Sequence, residues 1–248
     1  MSEKIVTAAV LVIGDEILSG RTKDRNIGYI AEYLANIGVD LREARVVPDI
    51  EDEIVAALNA LRARYDYVFT TGGIGPTHDD ITADAVAKAF GAPIDEDPRA
   101  LALMRARYKS DELSPARRRM ARMPVGAELV DNPVSPPPGF RIGNVIVMAG
   151  VPHIMQVMLD YVAPKLKTGA KMLSDSVRAD CREGDIGTEL GEIAKKHPDV
   201  IIGSYPFMDE RGGNTNVVVR SRDQQKLAAA KTAVEAMLTG IRAGAKPT

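Results

Sequence analysis

The chain has 248 residues, enough for one large domain or for a medium and a small one. Apolar content of 45% and charged content of 27% are those of an ordinary globular protein, and a net charge of −2 leaves no basic field to draw in nucleic acid. The single cysteine, Cys181, excludes an internal disulfide, and no 18-residue apolar run is present to span a membrane as a helix.

These features, with an N-terminal stretch that lacks the apolar core and cleavage site of a secretion signal, lead us to expect a cytoplasmic protein. Ile5 to Ile13 is a near-continuous run of apolar and β-branched residues, the pattern of a strand buried on both faces of a parallel sheet. Gly14, Asp15 and Glu16 end it. Ser19 to Asn26 reads as loop, and Ile27, Ile30, Ala31, Leu34 and Ile37 then recur at helical spacing, with Gly38 as the stop. Val39 to Val47 is a second strand, less apolar and hence less central. A helix from Ile50 to about Arg64 follows, with Ile50, Ile54, Leu58 and Leu61 as its buried stripe.

Tyr67 to Thr71 is a third strand, and it runs into TTGGIGPTHDDITAD, residues Thr70 to Asp84. Gly72, Gly73 and Gly75, with Pro76, lie between this strand and a helix from Ile81 to Phe90. A glycine-rich strand-to-helix turn can aim several N–H groups at one anion, and the adjacent carboxylates Asp79 and Asp80 make sense beside it as metal ligands or bases. The spacing is neither that of a Walker loop nor that of a dinucleotide fingerprint, so a plain tight turn with Asp80 or Thr82 capping the helix also fits. What favours a site is the company. The first 90 residues alternate strand and helix, which argues for a doubly wound parallel sheet, and acids sit at three strand ends: Asp15 with Glu16, Asp49, and Asp79 with Asp80.

Residues 91–125 read as helical and charged, with one helix from Pro98 to Lys109 and another opened by Ser114-Pro115. Arg117, Arg118, Arg119 and Arg122 are expected on a solvated face of that helix. Ala127 to Val130 is a short strand. Asn132 to Phe140 (NPVSPPPGF) is a rigid loop of four prolines, fit either for the wall of a site or for a surface crossover. Val145 to Met148 is another buried strand, and Ala149-Gly150-Val151-Pro152 leads into a helix from His153 to Leu166. From about Lys171 the pattern changes to alternating strands, a helix at Ile186 to Lys196, and a closing helix from Arg222 to Arg242. We therefore expect two domains, residues 1–168 and a small α+β unit at 169–248. Cys181 is expected as a small buried residue in a strand, and His78 as an exposed loop residue; no His/Cys spacing suggests zinc.

The segments IGDEILSGRTKDRN (Ile13 to Asn26), TTGGIGPTHDDITAD and AGVP resemble the molybdopterin-binding domain. They are most similar to its CinA branch, the competence/damage-inducible proteins, rather than to the MogA or MoaB enzymes. The resemblance covers about residues 4–166. It continues through SVRADCREGDIG, GSYP and VVVRSRD, which look like the second domain of CinA-like proteins and the matching domain of eukaryotic FAD synthetases.

The resemblance implies a three-layer αβα domain with a mostly parallel sheet, followed by a small two-layer α+β domain. It implies a nucleotide or pterin ligand and a divalent metal, Mg²⁺ or similar, with molybdopterin as a possible ligand. Carried over, the phosphate cradle is Thr71, Gly72, Gly73, Gly75 and Pro76. Gly14, Asp15, Glu16 and Asn26 line the pocket, joined by Asp79, Ser135 and Gly139. Asp80 and Asp49 are the catalytic carboxylates, and with Asp15 they are the metal ligands. The implied activity is hydrolysis of the pyrophosphate in ADP-ribose or FAD. The alternatives are molybdopterin binding or adenylation in molybdenum-cofactor assembly, and a non-catalytic ligand-binding module. A homo-oligomer is expected because relatives form dimers or trimers. Two departures stand out: Ser135 replaces the inner glycine of the family's proline loop, which should stiffen it, and Ala149 replaces a proline. No counterpart of the deamidase domain of full-length CinA is seen, so no deamidase activity is expected.

Overall fold

The structure is a computed structural model, and it describes residues 4–210 and 212–244; Met1 to Glu3 of the N-terminal stretch lie outside them. It contains two compact units, one up to Ala170 and one from Lys171.

In the first unit, β1 (Val6–Ile13) is buried almost throughout, as an all-apolar strand must be when both faces are covered. α1 (Asp15–Leu18) is a single turn where the sequence suggested only the end of a strand. α2 (Asn26–Asn36) and β2 (Val39–Val47) follow, then α3 (Glu51–Arg64), β3 (Tyr67–Thr71) and α4 (Thr82–Phe90). β4 (Ile94–Glu96), α5 (Pro98–Tyr108), α6 (Pro115–Arg119) and β5 (Arg122–Pro124) form an insert. β6 (Glu128–Val130), β7 (Gly139–Ile142), β8 (Val145–Met148) and α7 (Pro152–Val162) complete the unit.

The sheet order is β2-β1-β3-β8-β7-β6. The first four strands run parallel, and β7 pairs antiparallel with both β8 and β6. Alternate residues of each strand feed two cores. Leu11, Ile13, Val68 and Val147 pack against Ile54, Leu58 and Leu61 of α3 and Val86 of α4. Val10, Val12, Phe69 and Met148 pack against Ile30 and Leu34 of α2 and Met155, Leu159 and Val162 of α7. This is the expected three-layer αβα arrangement.

Four sequence expectations are corrected here. Ile50 is 54% exposed, because it precedes the first turn of α3 instead of lying on its inner face. Residues 91–125 hold two strands as well as two helices: β4 and β5 pair with each other as a separate ribbon. Gly139 and Phe140 belong to a strand, not to the proline loop. The expected solvated arginine face holds for Arg117 and Arg118, which are exposed, but Arg119 is partly buried and Arg122 lies in β5, not on the helix. Arg118 forks onto Glu96, Arg122 onto Asp84, and Arg117 lies over the Tyr108 ring.

The second unit runs β9 (Leu173–Arg178), α8 (Glu183–Lys196), β10 (Ile201–Asp209), β11 (Gly212–Ser221) and α9 (Gln224–Gly244). Its antiparallel sheet, ordered β10-β11-β9, buries Val217 and Val219 against Ile186 and Leu190 of α8 and Ala230, Val234 and Leu238 of α9. The apolar stripe of α9 is thus used for internal packing. Cys181 lies past the end of β9 and is partly buried, and burial pushes its thiol pKa up.

Candidate active site

Parallel strands end together, so the carboxyl ends of β1, β2, β3 and β8 share one edge. Ile13 lies opposite Val47, Val12 opposite Thr71, and Thr71 opposite Met148. The chain continues the pairing one residue past each strand: Gly14 N–H donates to Val47 carbonyl (3.1 Å) and Gly72 N–H to Met148 carbonyl (3.3 Å). The turns after these four strands are where an open α/β sheet places its ligand.

Gly72 and Gly73 are required by geometry. At Gly72, with φ at +103°, a Cβ would stand 2.1 Å from the Ile13 carbonyl oxygen. At Gly73, with φ at +65°, it would stand 2.2 Å from Thr82 Oγ1. Thr82 holds the turn from the other side: its hydroxyl donates to Gly72 carbonyl (2.9 Å) and its N–H to Gly73 carbonyl (3.0 Å). The proposed capping of α4 by Asp80 or Thr82 is absent. Ile81 occupies the cap position and gives no side-chain bond. Asp80 instead folds back, accepting from Thr77 N–H (2.8 Å) and Thr77 Oγ1 (2.5 Å). The N–H groups of Gly73, Ile74 and Gly75 donate to no group among the described residues. Three consecutive donors without a protein acceptor leave this glycine turn open to a ligand.

The turn opens on a cleft of about 460 Å³, within the size range of small-molecule sites. Glu16, Gly72, Gly73, Gly75, Asp80 and Ser135, all expected site residues, line it. Asp49 and Asp15 stand at the β1/β2 end of the edge. Asp49 accepts the Asp15 N–H at 2.9 Å. Burial raises the Asp49 pKa, against that hydrogen bond, and the charges of Asp15, Glu16 and Asp79 raise it further. Asn26 is almost fully buried and donates to Gly150 carbonyl at 2.8 Å, tying α2 to the β8 turn, while its own Oδ1 has no partner. Thr71 is buried at the end of β3 with its hydroxyl unpaired. Gly14 is buried at the end of β1, whereas Pro76 and Asp79 lie exposed on the outer part of the turn, outside the cleft lining. Gly139 is away from the cleft lining as well. A Cβ there would meet the Val147 carbonyl at 2.2 Å, so its role is strand packing. His78 is fully exposed.

The proline loop forms one wall through Ser135 and Pro137. Asn132, wholly buried, shapes it: its Oδ1 accepts from Val134 N–H (3.1 Å) and Ser135 N–H (3.2 Å), and its Nδ2 donates to Ser135 Oγ and to Pro137 carbonyl (3.3 Å). Arg107 of α5 clamps the same loop through Asp131 (2.6 Å) and Ser135 carbonyl (3.3 Å). Ser135, the departure from the family pattern, thus joins the network that rigidifies the wall.

Sequence reasoning did not place Thr22, Ile74, Met120, Val151, Ile154 and Met158, which also line the cleft. Most of these are apolar. The AGVP turn flagged its own location, but nothing in the sequence signals that the insert carrying Met120 folds onto the glycine turn.

An open α/β domain with a glycine turn, two carboxylates and a mostly apolar cleft at its strand ends has the arrangement of a small-molecule site. The comparisons are more specific. Residues 9–168 match the family described as probable molybdopterin binding domain, and residues 171–243 match the middle domain of FAD synthase. The chain belongs to the molybdopterin-binding domain family. It is 43% identical to a CinA-like protein of Citrifermentans bemidjiense over 165 residues, covering 64% of this chain and 40% of that one. It is 30% identical to a probable FAD synthase of Caenorhabditis briggsae over 260 residues, covering 94% of this chain but 50% of that one. Among solved structures it is similar to the protein CinA, of unknown function, from Thermoplasma acidophilum: TM-score 0.61, 36% identity, 64% of this chain and 96% of that one.

Proposed function

We propose that the cleft binds a nucleoside diphosphate-linked substrate of the ADP-ribose or FAD kind and hydrolyses its pyrophosphate with the help of a divalent cation. The observation that carries this reading is the pairing of three unpartnered N–H groups at Gly73 to Gly75 with carboxylates, Glu16 and Asp80, on the wall of one cleft. An anion cradle facing carboxylates is self-defeating unless a cation lies between phosphate and acid.

Hard oxygen donors suit Mg²⁺, which takes one or two carboxylates and completes its shell with water and substrate phosphates. Among the described residues no three His, Cys, Asp or Glu side chains are grouped closely enough to hold a metal alone. Of the three carboxylates expected as ligands, Asp80 on the cleft wall and Asp49 are the proposed pair, and Asp15 is not needed in the shell. When bound, such an ion neutralises developing phosphate charge and acidifies an attacking water. The chain's own residues do the rest. The Gly73 to Gly75 donors hold one phosphate, and the apolar cleft excludes water from the flat group. Water adds to phosphorus, the bridging P–O bond breaks, and ADP-ribose yields AMP and ribose 5-phosphate.

A second reading, binding or adenylation of molybdopterin, is supported by the family description and by the apolar lining of Ile74, Met120, Ile154 and Met158, which suits a pterin as well as an adenine or flavin ring. The test is AMP release from ADP-ribose and FAD with Mg²⁺ or Co²⁺, beside Asp80→Asn and Asp49→Asn. Metal-dependent release that falls at least a hundredfold in both variants supports hydrolysis. Absence of release from either substrate, with molybdopterin bound, replaces it by the second reading; binding without any turnover leaves a ligand-binding module.

A further inference from the structure

A pyrophosphate brings several negative charges into a cleft whose lining contains Glu16 and Asp80 but no lysine, arginine or histidine. One arginine nevertheless reaches the cradle from outside. Arg119, the last residue of α6, donates from Nη2 to the carbonyl of Asp80 at 3.2 Å. With Gly73, Gly75 and Asp80 it walls a small extension, about 20 Å³, that shares these three residues, Ile74 and Met120 with the main cleft.

Its ion pair is a long one. The neighbouring carboxylate, Asp84, is taken by Arg122 through two bonds of 2.6 and 3.1 Å, which leaves Arg119 a contact of 3.9 Å. Two guanidinium groups therefore share the Asp84 carboxylate, and Asp80 on the same wall supplies the second negative charge. Arg119 Nε is buried and has no acceptor. A buried cationic N–H without a partner is costly, and such groups are normally satisfied. The adjacent arginines of α6 differ: Arg118 is engaged by Glu96 and Arg117 by the Tyr108 ring, and neither lines the cleft or its extension.

Resting on the reading of the glycine turn as a phosphate cradle, we propose that Arg119 is the side-chain cation that binds and positions the substrate's phosphate there. Its planar fork of donors matches phosphate oxygens, and its anchoring to Asp80 carbonyl holds it in place before the ligand arrives. The ligand class this selects is one with an anionic phosphate at the turn, not a neutral heterocycle alone.

The test is calorimetric titration of the full chain with ADP, with adenosine as the neutral counterpart, for wild type, Arg119→Ala, Arg119→Lys and the control Arg117→Ala. The expected result is a roughly tenfold to hundredfold weaker ADP affinity in R119A, partial recovery in R119K, no change in R117A, and adenosine binding unaltered throughout. If R119A melts too low to be used, Arg119→Gln, which keeps a donor for the Asp80 carbonyl without the charge, carries the same comparison. Wild-type ADP affinity in a folded R119A or R119Q overturns the proposal, as does equal loss of ADP and adenosine binding. The two readings separate cleanly. Arg119-dependent ADP binding without AMP release from any pyrophosphate upholds this role and rejects hydrolysis. AMP release with an unchanged KM in R119A upholds hydrolysis and rejects this role. Wild type that binds neither ADP nor inorganic pyrophosphate rejects both.

Discussion

Replacing Gly72 with alanine tests the packing on which the cradle depends. The new Cβ would sit 2.1 Å from the Ile13 carbonyl oxygen, more than about 1 Å inside normal contact. Neither side can yield easily, because Ile13 and Thr71 belong to neighbouring parallel strands at the centre of the sheet. The backbone adds its own penalty, since Gly72 has φ at +103°. Left-handed strain costs roughly 1–3 kcal/mol and overpacking roughly another 1–3 kcal/mol, so the variant should lose about 2–6 kcal/mol. Against a typical total of about 5–15 kcal/mol this is a large fraction, and it corresponds to a melting shift on the order of 10 °C for a domain of this size. Gly20→Ala is the matched control: φ is +73°, but nothing lies within 4 Å of the added carbon, so only the backbone cost of about 1–2 kcal/mol applies. Equilibrium urea unfolding of both variants at equal slope gives the comparison. Gly72→Ala as stable as Gly20→Ala would refute the close approach of the glycine turn to the end of β1.

Two further predictions concern the carboxylates and the loop. Asp49 has a raised pKa in the folded state, so its ionised form costs stability at pH 7, and that cost disappears as pH falls below the unfolded carboxylate pKa of about 3.9. Asp49→Asn, which keeps the acceptor for Asp15 N–H, should therefore melt higher than wild type at pH 7, with the gap closing by about pH 4; millimolar Mg²⁺ should narrow it by stabilising wild type alone. A variant that melts lower than wild type at pH 7 would contradict the electrostatic account. Asn132→Ala strands two loop N–H groups and removes two donated bonds, and should cost about 2–4 kcal/mol. It should also weaken ligand binding through the displaced Ser135 and Pro137 wall, and unaltered thermal stability would show that the loop is held otherwise.

The chain's local chemistry already determined much of the fold. An unbroken apolar run can only be a strand covered on both faces, so β1, β3 and β8 declare themselves, and the less apolar β2 declares itself an edge. Alternation of such strands with helices dictates the parallel sheet, and a parallel sheet forces the acids and glycines of three turns onto one edge. That is why Glu16, Gly72, Gly73, Gly75 and Asp80 were legible as one site before any coordinates. Local pattern says nothing, however, about pairings between segments distant in the chain. β4, β5 and β7 are three or four residues long and owe their strand form to partners, not to periodicity. Ile50 has the spacing of a buried residue yet lies one step before the helix begins, in solvent. Arg119 shares its run of arginines with two residues that face elsewhere, and only the docking of the insert against Asp80 and Asp84 singles it out. Tertiary structure alone decided these points, because burial, strand partners and unpaired donors are properties of neighbours in space.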